Sequence, residues 1–244
     1  MDSDFITTCK SLIEAFKSGK LGQTIMPEDS HPEFKNQEER LAYFTLPMAL
    51  NYQRNSYTLW ECVLKTYQDA ETKKVFDLKF CATAPKKELQ KFLTKHKVAL
   101  QSNKHISTWQ VIAKTVYENW GSFSNLFNAA DNDFLKLQEI VQKTHKKGFP
   151  YLSGPKIFHY WTFIISTYGK IPLKNKQFID IAPDTHITKC SVLLEVITEQ
   201  EAETLPKEAI SEKWRGLLKG SVIAAIDMHP PLWFWSRNGF IYKL

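Results

Sequence analysis

Apolar residues recur at helical spacing along most of this chain, and the apolar–polar alternation of a half-buried strand appears nowhere. Residues 106–120 (ISTWQVIAKTVYENW) and 131–146 (DNDFLKLQEIVQKTHK) carry the strongest 3.6-residue period, with Ser107 and Asp131 placed to cap their N-termini. Residues 3–18 set Phe5, Leu12, Ile13 and Phe16 on one face, and Gly19 ends that helix. Pro85 is expected to open a helix reaching about His96, and residues 206–227 one more after Pro206. The fold class is therefore all-α, with roughly ten helices. At 43% hydrophobic and 13% aromatic, the 244 residues have ample material for a core.

Several function classes drop out early. No apolar run approaches the roughly 18 residues that span a bilayer, so no membrane partner is expected. The start, MDSDFITTCK, lacks the basic-then-apolar plan of a secretory signal, which points to a cytoplasmic protein, nucleoid-associated if the cell is prokaryotic. Cys9, Cys62, Cys81 and Cys190 are scattered without CxxC spacing, so neither zinc nor an iron–sulfur cluster is expected. The net charge of +6 weakly favours a polyanion. Lysines gather at 86–104 and at 143–156, and the second cluster is the better candidate for phosphate contact.

That second cluster flanks GFPYLSGPK (148–156). A helix ending near Lys147, then Gly148, Pro150 and Gly154, then a helix from Pro155 forms a helix-hairpin-helix by local rules. Gly154 is expected to take the positive φ of the sharp turn. Pro155 suits a first helical turn, where its missing N–H loses no bond. The free N–H groups of such a turn suit a phosphate. Lys156 falls in the first turn, where the helix dipole favours the neutral amine that a nucleophile requires. Further on, Asp184 in APDTHITK stands where an N-cap belongs, its carboxylate able to accept N–H groups two or three residues ahead. An amine and a carboxylate of this kind can serve one cleft, the carboxylate stabilising positive charge on a sugar as its base departs.

These two segments resemble the helix-hairpin-helix DNA glycosylases. YLSGPK (151–156) is similar to the second half of that superfamily's L-P-G-V-G-x-K hairpin, with Leu152 on its first glycine, and PDTHI (183–187) to its V-D-T-H motif. The absent iron–sulfur cysteines and LNYQRNSYTLW (50–60) look most like the archaeal-type 8-oxoguanine glycosylase branch. The likeness covers 47–60 and 148–190. It implies a two-lobed architecture with a cleft between helical subdomains, approximately 1–60 plus 170–244 and 61–169, the helix-hairpin-helix spanning 131–169.

It also implies a bifunctional DNA glycosylase/AP lyase in base excision repair. Lys156 would form a Schiff base with the damaged nucleotide and Asp184 would support base expulsion and β-elimination. Gln53, Arg54 and Asn55 would fill the hole left by the flipped base. Backbone N–H groups from Leu152, Ser153 and Gly154 would hold a phosphate. The partner is damaged double-stranded DNA, the protein a monomer, the cofactor none, and 8-oxoguanine the favoured base. The alternatives are a monofunctional glycosylase for another base and a non-catalytic DNA-binding helical protein. A flipped purine needs flat partners, and Trp233, Phe234, Trp235 and His159 are candidates. His186 is expected to hydrogen-bond rather than act as a base.

Overall fold

The computed structural model describes residues 2–52 and 54–244, so Gln53 lies outside the described residues. The protein is all-α: among the described residues there is no strand, only an isolated parallel bridge between Asp133 and Lys174. The chain divides into two compact units, Met1–Met26 with Asn175–Leu244, and Pro27–Lys174. Residues 27–60, expected with the termini, belong to the second of these.

In chain order, α1 (Asp2–Lys17) opens the terminal unit. The middle unit holds α2 (Gln37–Thr45), α3 (Ser56–Gln68), α4 (Leu78–Thr83), α5 (Lys86–Lys95), α6 (Lys104–Trp120), α7 (Phe123–Ala129), α8 (Phe134–Gln138) and α9 (Pro155–Thr167). The terminal unit then resumes with α10 (Thr185–Leu193), α11 (Glu199–Thr204), α12 (Lys207–Leu218) and α13 (His229–Arg237). No helix among the described residues is long and apolar enough to cross a membrane.

The middle unit is built on aromatic side chains. Tyr43 meets Phe34, Phe44, Trp60, Tyr67 and Phe76 with ring centroids 5.1–5.7 Å apart. Such edge-to-face and tilted pairs fix ring orientation as well as burying area. Trp109 of α6 donates its indole N–H to the Val75 carbonyl at 3.0 Å, so even the polar edge of a core tryptophan is used. The terminal unit packs Cys9, Leu12 and Ala15 of α1 with Ile187 and Cys190 of α10, Trp214 of α12 and Leu232 and Trp235 of α13. The four cysteines are free thiols, three of them buried.

Local rules miss three boundaries. The helix expected from 206 stops at Leu218, because Gly220 takes φ +83° and turns the chain away. The helix at 131–146 is capped by Asp133, whose carboxylate accepts from Leu135 and Lys136, while Asp131 and Asn132 are left-handed. From Glu139 to Thr144 it continues as a π-helix rather than an α-helix. Ser107 lies inside α6, whose N-cap is Asn103.

Candidate active-site elements

The hairpin lies wholly within the middle unit. His145 lies 5.0 Å from the ring of Trp120, which ends α6, and Phe149 is fully buried. Gln142 donates to the Ser153 carbonyl at 3.1 Å, tying the incoming helix to the turn. The residue that pays the conformational cost of the turn is Tyr151, with φ +61°, and not Gly154, which is extended at φ −67°. Gly154 eases a close approach instead: an added Cβ would stand 3.1 Å from the Tyr151 carbonyl oxygen, which its own N–H approaches at 3.0 Å.

The expected phosphate donors are already occupied. Leu152 N–H donates to Pro150 at 2.8 Å, Ser153 to Phe149 at 2.9 Å and Gly154 to Tyr151 at 3.0 Å. The Leu152 side chain is fully buried and the Ser153 hydroxyl leans on the Lys146 carbonyl at 3.5 Å. The first intrahelical bond of α9 runs from Phe158 to Gly154. Lys156 and Ile157 therefore carry the unsatisfied N–H groups at this helix start among the described residues, beyond the anticipated stretch from Leu152 to Gly154. The Lys156 side chain is exposed and makes no ion pair among the described residues.

Neighbouring residues are drawn into structural work. Arg54 donates to the carbonyls of Val98 at 2.7 Å and Lys97 at 3.3 Å, and burial lowers the pKa of its guanidinium. Asn55 is the N-cap of α3, accepting from Thr58 at 3.1 Å. Neither side chain is poised as a free probe of DNA. His159 is buried against Phe134 and Phe158, a core residue rather than a pocket wall. In the first lysine cluster, Lys91 pairs with Glu71, and Lys95 with Asp69 and Glu71.

Two residues that local reasoning passed over stand beside the hairpin. Tyr52 stacks on Tyr151 with centroids 4.2 Å apart and planes 10° from parallel. The Lys104 ammonium lies 5.0 Å from the Tyr151 ring and 5.5 Å from that of Tyr52. Burial, with Arg54 and Lys104 nearby, holds the pKa of His105 down, and its Nδ1 accepts from the Leu100 N–H at 3.1 Å. The sequence signals for both were faint: Tyr52 adjoins Gln53 and Lys104 closes the first lysine cluster.

The aspartate belongs to the terminal unit and caps α10 as expected. One oxygen of Asp184 accepts from the His186 and Ile187 N–H groups at 2.9 and 3.0 Å, and the other from the Trp233 indole at 3.1 Å. Of the roughly four acceptor sites of a carboxylate, three are therefore filled by these donors. Trp233 is partly exposed, with the His186 ring at 5.4 Å and the Arg237 guanidinium 4.7 Å from its centroid. His186 bonds the Ser236 hydroxyl at 3.0 Å, the hydrogen-bonding part expected of it.

Of the clustered aromatics, Trp233 alone keeps an open surface. Phe234 is buried and stacks on Phe16, while Trp235 is buried and donates to the Tyr242 carbonyl. Burial pushes the Cys9 and Cys190 thiols up to about 12, so neither is a thiolate nucleophile near neutral pH.

A scan against protein-family models finds no match to this chain, and a search of curated proteins finds no significant relative.

Proposed function

We propose that the protein is a DNA glycosylase with AP lyase activity, of the two-lobed helix-hairpin-helix type, removing an oxidised base with 8-oxoguanine favoured. The observation that carries the reading is Lys156: an exposed amine in the first turn of α9 that, among the described residues, has no ion pair and stands beside two backbone N–H groups with no acceptor. That arrangement suits an anionic strand and a nucleophile together. Asp184, its carboxylate oriented by the α10 cap and the Trp233 indole, supports the second role.

The chemistry follows from those two groups. The neutral Lys156 amine attacks C1′ of the damaged nucleotide, and the bond from C1′ to the base breaks. The base leaves with its electron pair, taking up a proton. The amine passes one proton to the ring oxygen as the C1′–O4′ bond breaks, and the opened sugar is left as a protonated imine. Removal of a C2′ proton then expels the 3′ phosphate and nicks the strand. Asp184 balances the positive charge that grows on the sugar as the base departs. No metal or organic cofactor is called for in this scheme.

Borohydride trapping tests it. A duplex carrying 8-oxoguanine opposite cytosine, mixed with protein and borohydride, is expected to give a covalent protein–DNA band that Lys156→Ala abolishes. A band with abasic-site DNA alone keeps the lyase and discards the 8-oxoguanine assignment. No band with either substrate sinks the lysine mechanism.

A further inference from the structure

Tyr151 occupies a left-handed backbone position, at φ +61°, that a glycine would fill without strain. A bulky residue held there points to a use for its ring. The ring lies parallel to Tyr52 at 4.2 Å, so one face is covered, while the residue as a whole stays partly exposed. Tyr52 is braced in turn by His105, edge-on at 5.8 Å.

The position of Lys104 sharpens this. A cation over the outer face of Tyr151 would be nearly twice as far from Tyr52 as from Tyr151. The observed 5.0 and 5.5 Å put the ammonium at the rim of the stack instead. Lys104 thus leaves the outer face of Tyr151 uncapped and sets a positive charge at its edge. Lys104 is exposed and makes no ion pair among the described residues. It also stands at the first position of α6, where the helix dipole disfavours a cation. A flat apolar face edged by uncompensated positive charge matches one nucleotide unit, a planar base with its phosphate.

We propose that the outer face of Tyr151 is a stacking subsite for one unpaired nucleobase of a DNA strand, with Lys104 holding the adjacent phosphate and Tyr52 as the backing of the platform. The identity of the ligand rests on the DNA-repair reading; the site itself rests on the stack.

Fluorescence anisotropy over a salt series tests it, with labelled oligothymidine and a duplex holding an abasic-site analogue as probes. Tyr151→Gly removes the ring and the backbone strain together, so its melting temperature is expected to match or exceed that of the wild type. Its affinity for both probes is expected to fall roughly 5- to 100-fold. Tyr151→Asn, which tolerates the same backbone, repeats the test should the glycine variant fail to fold. Tyr52→Ala weakens binding in the same direction. Lys104→Gln reduces the slope of log affinity against log salt for the single strand by about 0.7, the signature of one lost phosphate contact.

Wild-type affinity in a folded Tyr151→Gly or Tyr151→Asn protein overturns the subsite and leaves the glycosylase reading standing. Binding that depends on Tyr151, in a protein that gives no borohydride-trapped band, keeps the subsite and removes the lysine chemistry. A wild-type protein that binds neither probe overturns both.

Discussion

The Trp233 indole N–H donates to the Asp184 carboxylate at 3.1 Å, on the oxygen that the α10 backbone leaves unused. The backbone cap fixes one end of the carboxylate and the indole fixes the other, so the group has little freedom to rotate. Trp233→Phe keeps a ring between His186 and Arg237 but removes this donor. A hydrogen bond to a charged acceptor contributes about 1.5–3 kcal/mol. If Asp184 acts in base expulsion, single-turnover excision in Trp233→Phe is expected to slow by roughly tenfold or more, with DNA affinity little changed. An unchanged rate would make Trp233 a packing residue only.

Glu28 is a buried carboxyl whose two oxygens each lie 3.1 Å from the Tyr160 hydroxyl. Burial pushes its pKa up to about 7, against the opposing pull of its backbone hydrogen bond, Tyr160 and Trp60, and with Asp29 adding to the rise. The Trp60 indole N–H favours the carboxylate but falls outside hydrogen-bond geometry, which leaves Tyr160 as the side-chain donor. The folded protein holds a proton here that the unfolded chain gives up near pH 4.5. The stability this provides is complete below about pH 4.5, declines as pH rises, and is gone above about pH 7. A shift of this size corresponds to an effect on the order of 3–4 kcal/mol. Urea unfolding of Glu28→Gln at pH 5 and pH 8 should show a smaller loss across that interval than the wild type. An equal loss in both proteins rules Glu28 out as the source.

Gly148 enters the hairpin against α6. An added Cβ would lie 2.5 Å from Thr115 Cγ2 and 2.6 Å from its Oγ1, so rotating the threonine exchanges one clash for the other. Gly148→Ala is expected to destabilise the protein by about 1–3 kcal/mol, the usual range for overpacking. Thr115→Ala in the same protein should restore part of the loss. The melting temperatures of the two single variants and the double variant measure this coupling directly.

Arg54 closes the chain end after α5 through the Val98 and Lys97 carbonyls. Arg54→Ala leaves those carbonyls unpaired and is expected to lower stability by about 1–3 kcal/mol. Affinity for duplex DNA, measured where the variant is fully folded, is expected to stay within a few-fold of the wild type. A large affinity loss with an unchanged melting temperature would return Arg54 to the DNA-contact role that its sequence neighbourhood implied.

The structure separates these cases by what each residue already has to satisfy. Asp184 was legible because an N-cap needs only the N–H groups two and three residues ahead, a local geometry that local sequence encodes. Arg54 was not, because the carbonyls that engage it belong to a segment more than forty positions away. The run Trp233, Phe234, Trp235 was visible as a cluster, yet which ring stays open depends on Phe16 and Tyr242, from the two ends of the chain.

The hairpin divides the same way. Its location and the helix start at Pro155 come from proline and glycine chemistry, which acts over a few bonds. Which of its N–H groups remain free, and which residue turns left-handed, depends on contacts across the turn and on the ring of Tyr52 stacked upon it. The amino-acid sequence by itself determined that the chain is helical, where most helices begin, and which amine and carboxylate merit attention, because periodicity and capping are short-range. Tertiary structure alone decided which polar groups are spent on the fold and which are left for a ligand, because each buried donor and acceptor takes whatever partner packing brings to it.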